Sequence, residues 1–433
     1  MAAPRGIMAP QLYSIGAILL STAFLLLGNG LIGTLTPVRA HLEGFSNLAI
    51  GGMGSFYYLG FVVGCFVGPR LLARVGHIRT FAVAAALTSA TVLVQPIFTQ
   101  PTMWFADRAA FGFLAASVYM AIESWLNDCA TNETRGRILA AYVIVNLTCL
   151  TLGQWLLLAA PPMGYQLFSL AAVLYIFCVV PMGLTRLPQP LPQPRPVLRV
   201  MRLMRMAPVG VAGIVTVGLA NAAFWTLAPV YAQSLGFSTF GVALFMSAFI
   251  VGGTVIQFPL GRFSDRLDRR WIIAAICGAA SIGGVALALL GHVSADHPYL
   301  LYPLALFFGA AMLPLYSLSI AHANDRLVRS EFIEASATLL LVNALASIIG
   351  PFLAAFIIAH SAMASLFFYT AAVHLLMTIF TIVRITMVRA APDETHEHFV
   401  AVPPTASPGS LELDPRGPEH VDAHATADTP QAA

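Results

Sequence analysis

Apolar runs of about 20 residues follow one another along most of the chain, separated by short stretches where charge, glycine and proline collect. Twelve can be marked, at roughly 12–36, 47–69, 80–100, 103–126, 138–159, 165–184, 208–232, 240–260, 271–291, 299–321, 334–358 and 364–388. Each is long enough to cross a bilayer as a helix at ~1.5 Å per residue. Barrel strands would instead show segments of about ten residues with alternating polarity. The first run is too long, and its fellows too many, for a cleaved signal peptide. The pattern predicts an all-α integral membrane protein of twelve transmembrane helices.

Composition agrees with this reading. The 433 residues are 58% hydrophobic and 9% charged, with a mean hydropathy of +0.81, more apolar surface than a soluble domain can bury. The 22 basic residues are all arginine. With the N-terminus inside, twelve crossings put only Arg39 in an external loop and only Arg108 within a span; the other arginines fall on the cytoplasmic side. Both termini are therefore expected in the cytoplasm. The net charge of +3 reflects topology signals, so no nucleic-acid partner is expected. Cys65, Cys129, Cys149, Cys178 and Cys277 lie in spans or at cytoplasmic ends and match no metal-site spacing; no disulfide, metal or cofactor is expected.

The chain is written twice. At an offset of 192, Asn29 answers Asn221, Thr34 answers Thr226, the "GFS" at Gly44–Ser46 answers Gly236–Ser238, and Gly60 answers Gly252. After the longer external loop at His292–Pro298 the offset becomes 197, relating Gly112 to Gly309, Tyr119 to Tyr316, Asn146 to Asn343 and Gly153 to Gly350. Internal duplication of this kind marks many transporter folds. The expected organisation is a short cytoplasmic N-terminus (1–11), a six-helix bundle (12–185), a proline- and arginine-rich cytoplasmic linker (186–207), a second bundle (208–388) and a polar, disordered cytoplasmic tail (389–433).

The densest charge lies in "GRFSDRLDRR", Gly261–Arg270, expected as a cytoplasmic loop. Gly261, Asp265, Arg266, Arg269 and Arg270 resemble the loop signature of the major facilitator superfamily, with Asp268 in place of a glycine. The first copy is decayed: Pro69 and Ala73 stand where glycine and aspartate belong, while Arg74 and Gly76 remain. "RAAFG", Arg108–Gly112, resembles the fourth-helix motif of the same superfamily. "ESWLNDCATNETRGRILAAY" and "YSLSIAHANDRL" resemble its uncharacterised bacterial YcaD-like branch. The resemblance implies two bundles around one central cavity opened alternately to each side, with helices 1, 4, 7 and 10 lining it. It also implies that Asp265 meets Arg135 or Arg137, at the start of helix 5, in a cytoplasmic latch.

Candidate chemistry sits in the spans, where polar side chains are costly against lipid. Arg108, Gly112, Tyr119 and Glu123 form one stripe of predicted helix 4. Arg108 and Glu123 are replaced by Ala305 and Ile320 in the second copy, so the fold requires neither. A poorly solvated Glu123 can carry a proton, whereas Arg108 stays charged and can hold an anionic group or position Asp107 or Glu123. Asn29, Thr34, Asn221, Trp225 and Tyr316 are further pathway candidates, with interhelical bonding as the bland alternative for the asparagines. Asn146 and Asn343, at equal positions in the two copies, read as scaffold. The expected function is secondary active transport of a small organic solute with protons across a bacterial inner membrane, by a lipid-embedded monomer and with no enzymatic activity. A multidrug antiporter and a non-transporting sensor are the alternatives.

Overall fold

The computed structural model describes residues 8–131, 133–185, 198–293, 298–328, 331–388 and 399–401, and all regular structure among them is helical. Among the described residues, twelve helices are long and apolar enough to span a membrane. They are α1 (Tyr13–Leu42), α2 (Asn47–Val75), α3 (His77–Val94), α4 (Pro101–Asp128), α5 (Arg135–Ala159), α6 (Gln166–Leu184), α7 (Pro208–Ser234), α8 (Thr239–Ser264), α9 (Arg269–Gly291), α10 (Leu301–Asn324), α11 (Glu334–Ala359) and α12 (Ser365–Met387). Each falls on one apolar run, but several ends move. The helix of α1 continues past its expected end, through Pro37. α8 reaches Ser264, so Gly261 belongs to a helix end rather than to a loop, and Arg269 already opens α9. α10 is broken into Leu301–Met312 and Leu315–Asn324, where Pro314 supplies no N–H to continue the ladder. Hydropathy is blind to such a break.

The duplication is visible in which helices touch. α1 packs on α5, α2 on α4 and α3 on α6; α7 packs on α11, α8 on α10 and α9 on α12. Equivalent residues make equivalent contacts. A side chain at Gly60 would overlap the carbonyl of Ala109, and one at Gly252 the carbonyl of Leu306. Gly112 lies against the Tyr57 backbone, and Gly309 against that of Phe249. Helices packed in a bilayer gain mainly from such close backbone approach, which small residues permit.

The repeated "GFS" is a connector. Gly44 (φ 79°) and Gly236 (φ 81°) end α1 and α7 in the left-handed region that favours glycine. The following N–H groups of Phe45 and Phe237 bond back to the carbonyls of Ala40 and Ala232, at 3.0 and 3.2 Å. Ser46 and Ser238 then cap the next helix, their hydroxyls accepting from the N–H of Ala49 and Gly241.

Of the expected linker, residues 198–207 are described, including a short helix at Val200–Met206; residues 186–197 lie outside the described residues. Of the expected tail, only 399–401 are described, and its four histidines lie outside them.

Candidate functional site

The two halves meet through α2 and α11, α1 and α7, and α5 and α8. The closest of these contacts gather at the end opposite the arginines of the α2–α3 and α8–α9 turns. There Gly51 meets Pro351 and Ala355, Gly54 meets Thr226, and Trp155 stands edge-on to Phe240 at 5.5 Å. The same end holds Arg39, which is buried but satisfied: it donates to Glu43 at 2.6 Å and to the carbonyls of Pro162 and Met163. This arginine ties α1 to the turn after α5.

Between the halves lies a cavity of about 220 Å³, lined from α1, α2, α4 and α5 on one side and α7, α8, α10 and α11 on the other. Arg108, Tyr119, Asn29, Asn221 and Trp225 line it. The guanidinium of Arg108 lies between two rings, 4.9 Å from the centroid of Tyr57 and 4.8 Å from that of Phe111. Its Nη1 is buried without a hydrogen-bond partner.

The paired asparagines differ. Asn29 donates to the Tyr119 hydroxyl and accepts from the Tyr175 hydroxyl, both at 2.6 Å, so it bonds helices together within its own half. Asn221 has neither amide atom bonded, though both are buried. Asn146 and Asn343, read as scaffold from their repetition, also line the cavity, each with one unbonded amide atom.

Other expected pathway residues lie off the cavity. Thr34 donates to Gln154 between α1 and α5. Asp107 accepts from Gln95 at 2.6 Å, on a different face of α4 from Arg108. Glu123 is fully buried and accepts from the Tyr142 hydroxyl at 2.9 Å. Roughly 22 Å of helix rise separates it from Arg108, toward the arginine-rich end. Tyr316, in the opposite half, is also buried, its hydroxyl without a hydrogen-bond partner among the described residues. Sequence reasoning passed over Tyr57 and Phe111, which frame Arg108, and Gln257, which lines the cavity and donates to Ser317 at 3.2 Å. Gln257 was detectable as an amide within an apolar run; the two rings were not, because aromatics are ordinary in membrane helices.

The charged turn forms a network within the second half. Buried Arg269 reaches Asp265 at 3.0 Å and Asp325, at the end of α10, at 3.2 Å. Arg270 pairs with Asp268 at 2.7 Å and donates to the carbonyl of Val388 at the same distance. Burial pulls the Asp268 carboxyl up, but the bonds from the Arg270 side chain and backbone outweigh it and hold it below its ordinary value. Asp265 also accepts from the Phe399 N–H at 2.8 Å, and the Phe399 ring fills the space beside Gly261. Arg135 is buried at the start of α5, whereas Arg74, Arg137 and Arg266 are exposed and make no ion pair among the described residues. The structure thus gathers Gly261, Asp265, Arg269 and Arg270 and leaves those three arginines apart.

Twelve spans in two like halves around a central cavity define a multi-pass membrane transporter, not an enzyme. The chain belongs to the Major Facilitator Superfamily, whose family model matches residues 18–325 and again 210–415. It is 25% identical over 354 residues to the uncharacterised transporter YcaD of Escherichia fergusonii, covering 81% of this chain and 91% of that one. Against YcaD of Salmonella typhi it is 25% identical over 335 residues, covering 76% and 85%. The fold is similar to that of a D-xylose–proton symporter, with a TM-score of 0.70 at 14% identity over 90% of this chain and 99% of that one. It is also similar to a bacterial homologue of the lysosomal transporter Spinster in an inward-facing, unoccupied conformation, with a TM-score of 0.64 at 11% identity over 95% and 98%.

Proposed function

We infer that this protein is a secondary active transporter that moves a small organic solute across the bacterial inner membrane by alternating access, coupled to protons. The observation that carries the reading is a cavity lined from both halves, whose closest mutual contacts among the described residues gather at one end. The arginine-rich end is placed in the cytoplasm by the positive-inside rule. The joined end is then external, and the molecule is in its inward-facing state. Reporter fusions after Arg199 and after Ala390 test this orientation; both should report cytoplasm.

Glu123 is the proton carrier in this reading. It is a buried carboxylate inward of the cavity that accepts from the Tyr142 hydroxyl, and its repeat partner Ile320 carries no charge. A carboxylate in such surroundings exchanges a proton more readily than it stays ionised through a conformational change. The similarity to a D-xylose–proton symporter is consistent with coupling of this kind. Asp265, held within the second half by Arg269 in this inward-facing state, serves as one side of a cytoplasmic latch that meets the start of α5 when that end closes, biasing states rather than touching solute. The test is proteoliposome flux with and without an imposed pH gradient. Glu123→Gln should lose gradient-driven accumulation or extrusion at least tenfold and keep solute binding. Unchanged gradient-driven flux in that variant would remove Glu123 from the mechanism.

A further inference from the structure

The transport reading leaves the solute open, and Arg108 narrows it. Nη1 of the guanidinium is buried with no hydrogen-bond partner, and no ion pair to Arg108 forms among the described residues. The neighbouring acid, Asp107, is turned to Gln95 instead. The rings of Tyr57 and Phe111 stack on the guanidinium and fix its plane from two sides without bringing a formal charge to it. A permanently charged group held this way in a low-dielectric site is costly unless an anion joins it. Its planar fork matches an oxyanion in two-point fashion.

The rest of the cavity is chiefly apolar or aromatic, including Met53, Tyr58 and, from the other half, Trp225 and Ile250. Asn221 is the most open of the asparagines there, with neither its amide nitrogen nor its carbonyl oxygen bonded, while Asn146 and Asn343 each keep one open atom. We propose that the cavity binds an organic monoanion, its carboxylate-type head on Arg108 and its apolar body reaching across to Trp225 and Asn221. This deepens the transport reading and rests on it. One negative charge offsets that of Arg108, so the halves can rock around the occupied site with less uncompensated charge at the bilayer centre. A solute spanning both halves also gives binding a direct hold on their relative position.

The experiment is thermal unfolding of the purified full-length protein with matched pairs of probes: straight-chain carboxylates from acetate to decanoate and aryl carboxylates from benzoate to phenylbutyrate, each beside its uncharged amide. At least one carboxylate should raise Tm where its amide does not. Arg108→Gln should weaken that binding at least tenfold, Arg108→Lys should keep part of it, and Trp225→Ala should weaken long or aryl chains more than acetate. A solute-free Tm near wild type shows that each variant is folded, and Arg108→Lys serves if Arg108→Gln is not. Equal shifts from acid and amide, a carboxylate shift untouched by Arg108→Gln, or no shift from any carboxylate would overturn the proposal. If uncharged solutes bind through Trp225 without Arg108, the anion inference fails and the transport reading stands. If carboxylates bind through Arg108 but liposomes carry them in neither direction, the anion site stands and the transport reading fails.

Discussion

The first and second halves of this protein share their packing but not their chemistry. Gly60 and Gly252, Gly112 and Gly309, and the two "GFS" connectors make the same contacts in both. Polar and charged groups part company. Asn29 is saturated by Tyr119 and Tyr175, while Asn221 is left open to the cavity. Arg108 and Glu123 have no counterparts in the second half, and the Asp265 turn has none in the first, where Pro69 and Ala73 stand instead. Pro314 breaks α10 where the equivalent Ser117 leaves α4 continuous. Close backbone contact tolerates little change, so both copies retained it; a transport site needs each charge only once.

The shared scaffold can be broken most severely. Gly60→Val and Gly252→Val should each cost about 3 kcal/mol or more, because the added side chain meets a backbone carbonyl that has no room to retreat. Thermal unfolding in detergent should show comparable losses for the two. Tolerance in one half alone would mean that the repeat is not symmetric in packing.

The asparagine pair should then separate stability from binding. Asn29→Ala leaves two buried tyrosine hydroxyls without their partner and should cost about 1–3 kcal/mol. Asn221→Ala removes no bond and should be close to neutral in stability while changing solute affinity. Equal loss of stability from both, by the same unfolding measurement, would make Asn221 scaffold as well.

The one-sided latch offers a smaller effect. Asp265→Asn keeps the shape but loses the charge that holds Arg269 and accepts from Phe399. Turnover should fall several-fold with little change in solute affinity, and spin-label distances across the arginine-rich end should lengthen. Truncation before Phe399 removes one of those two partners and should shift the distances less. Unchanged distances with lost binding would instead put Asp265 in the solute pathway.

The smallest effect belongs to Asp268. Its carboxyl is held below its ordinary value, so its contribution is present above the unfolded-state value of about 4 and lost as pH falls through the lower folded value. The side chain is partly exposed, which limits Asp268→Asn to about 1 kcal/mol at neutral pH. The gap between variant and wild type in unfolding free energy should close in strong acid; a gap that persists there would be steric.

The number and rough extent of the spans, the duplication, the family and the unmatched charges Arg108 and Glu123 of α4 were legible in the sequence. Those features rest on length, hydropathy and residue identity at fixed offsets, which are properties of a string. Tertiary structure decided which polar residues face the cavity. Asn146 and Asn343 look like scaffold because they recur, yet both line it with unbonded amide atoms. Thr34 and Asp107 look like pathway residues because they are polar in a span, yet neither lines the cavity, and they bond to Gln154 and Gln95 instead. Helical spacing gives a residue's direction around its own axis but not which neighbour stands there, and a membrane helix has neighbours on several sides. The framing of Arg108 by Tyr57 and Phe111 and the seating of Phe399 on the Asp265 turn depend on such neighbours, from α2 and α4 in one case and from a segment 134 residues away in the other.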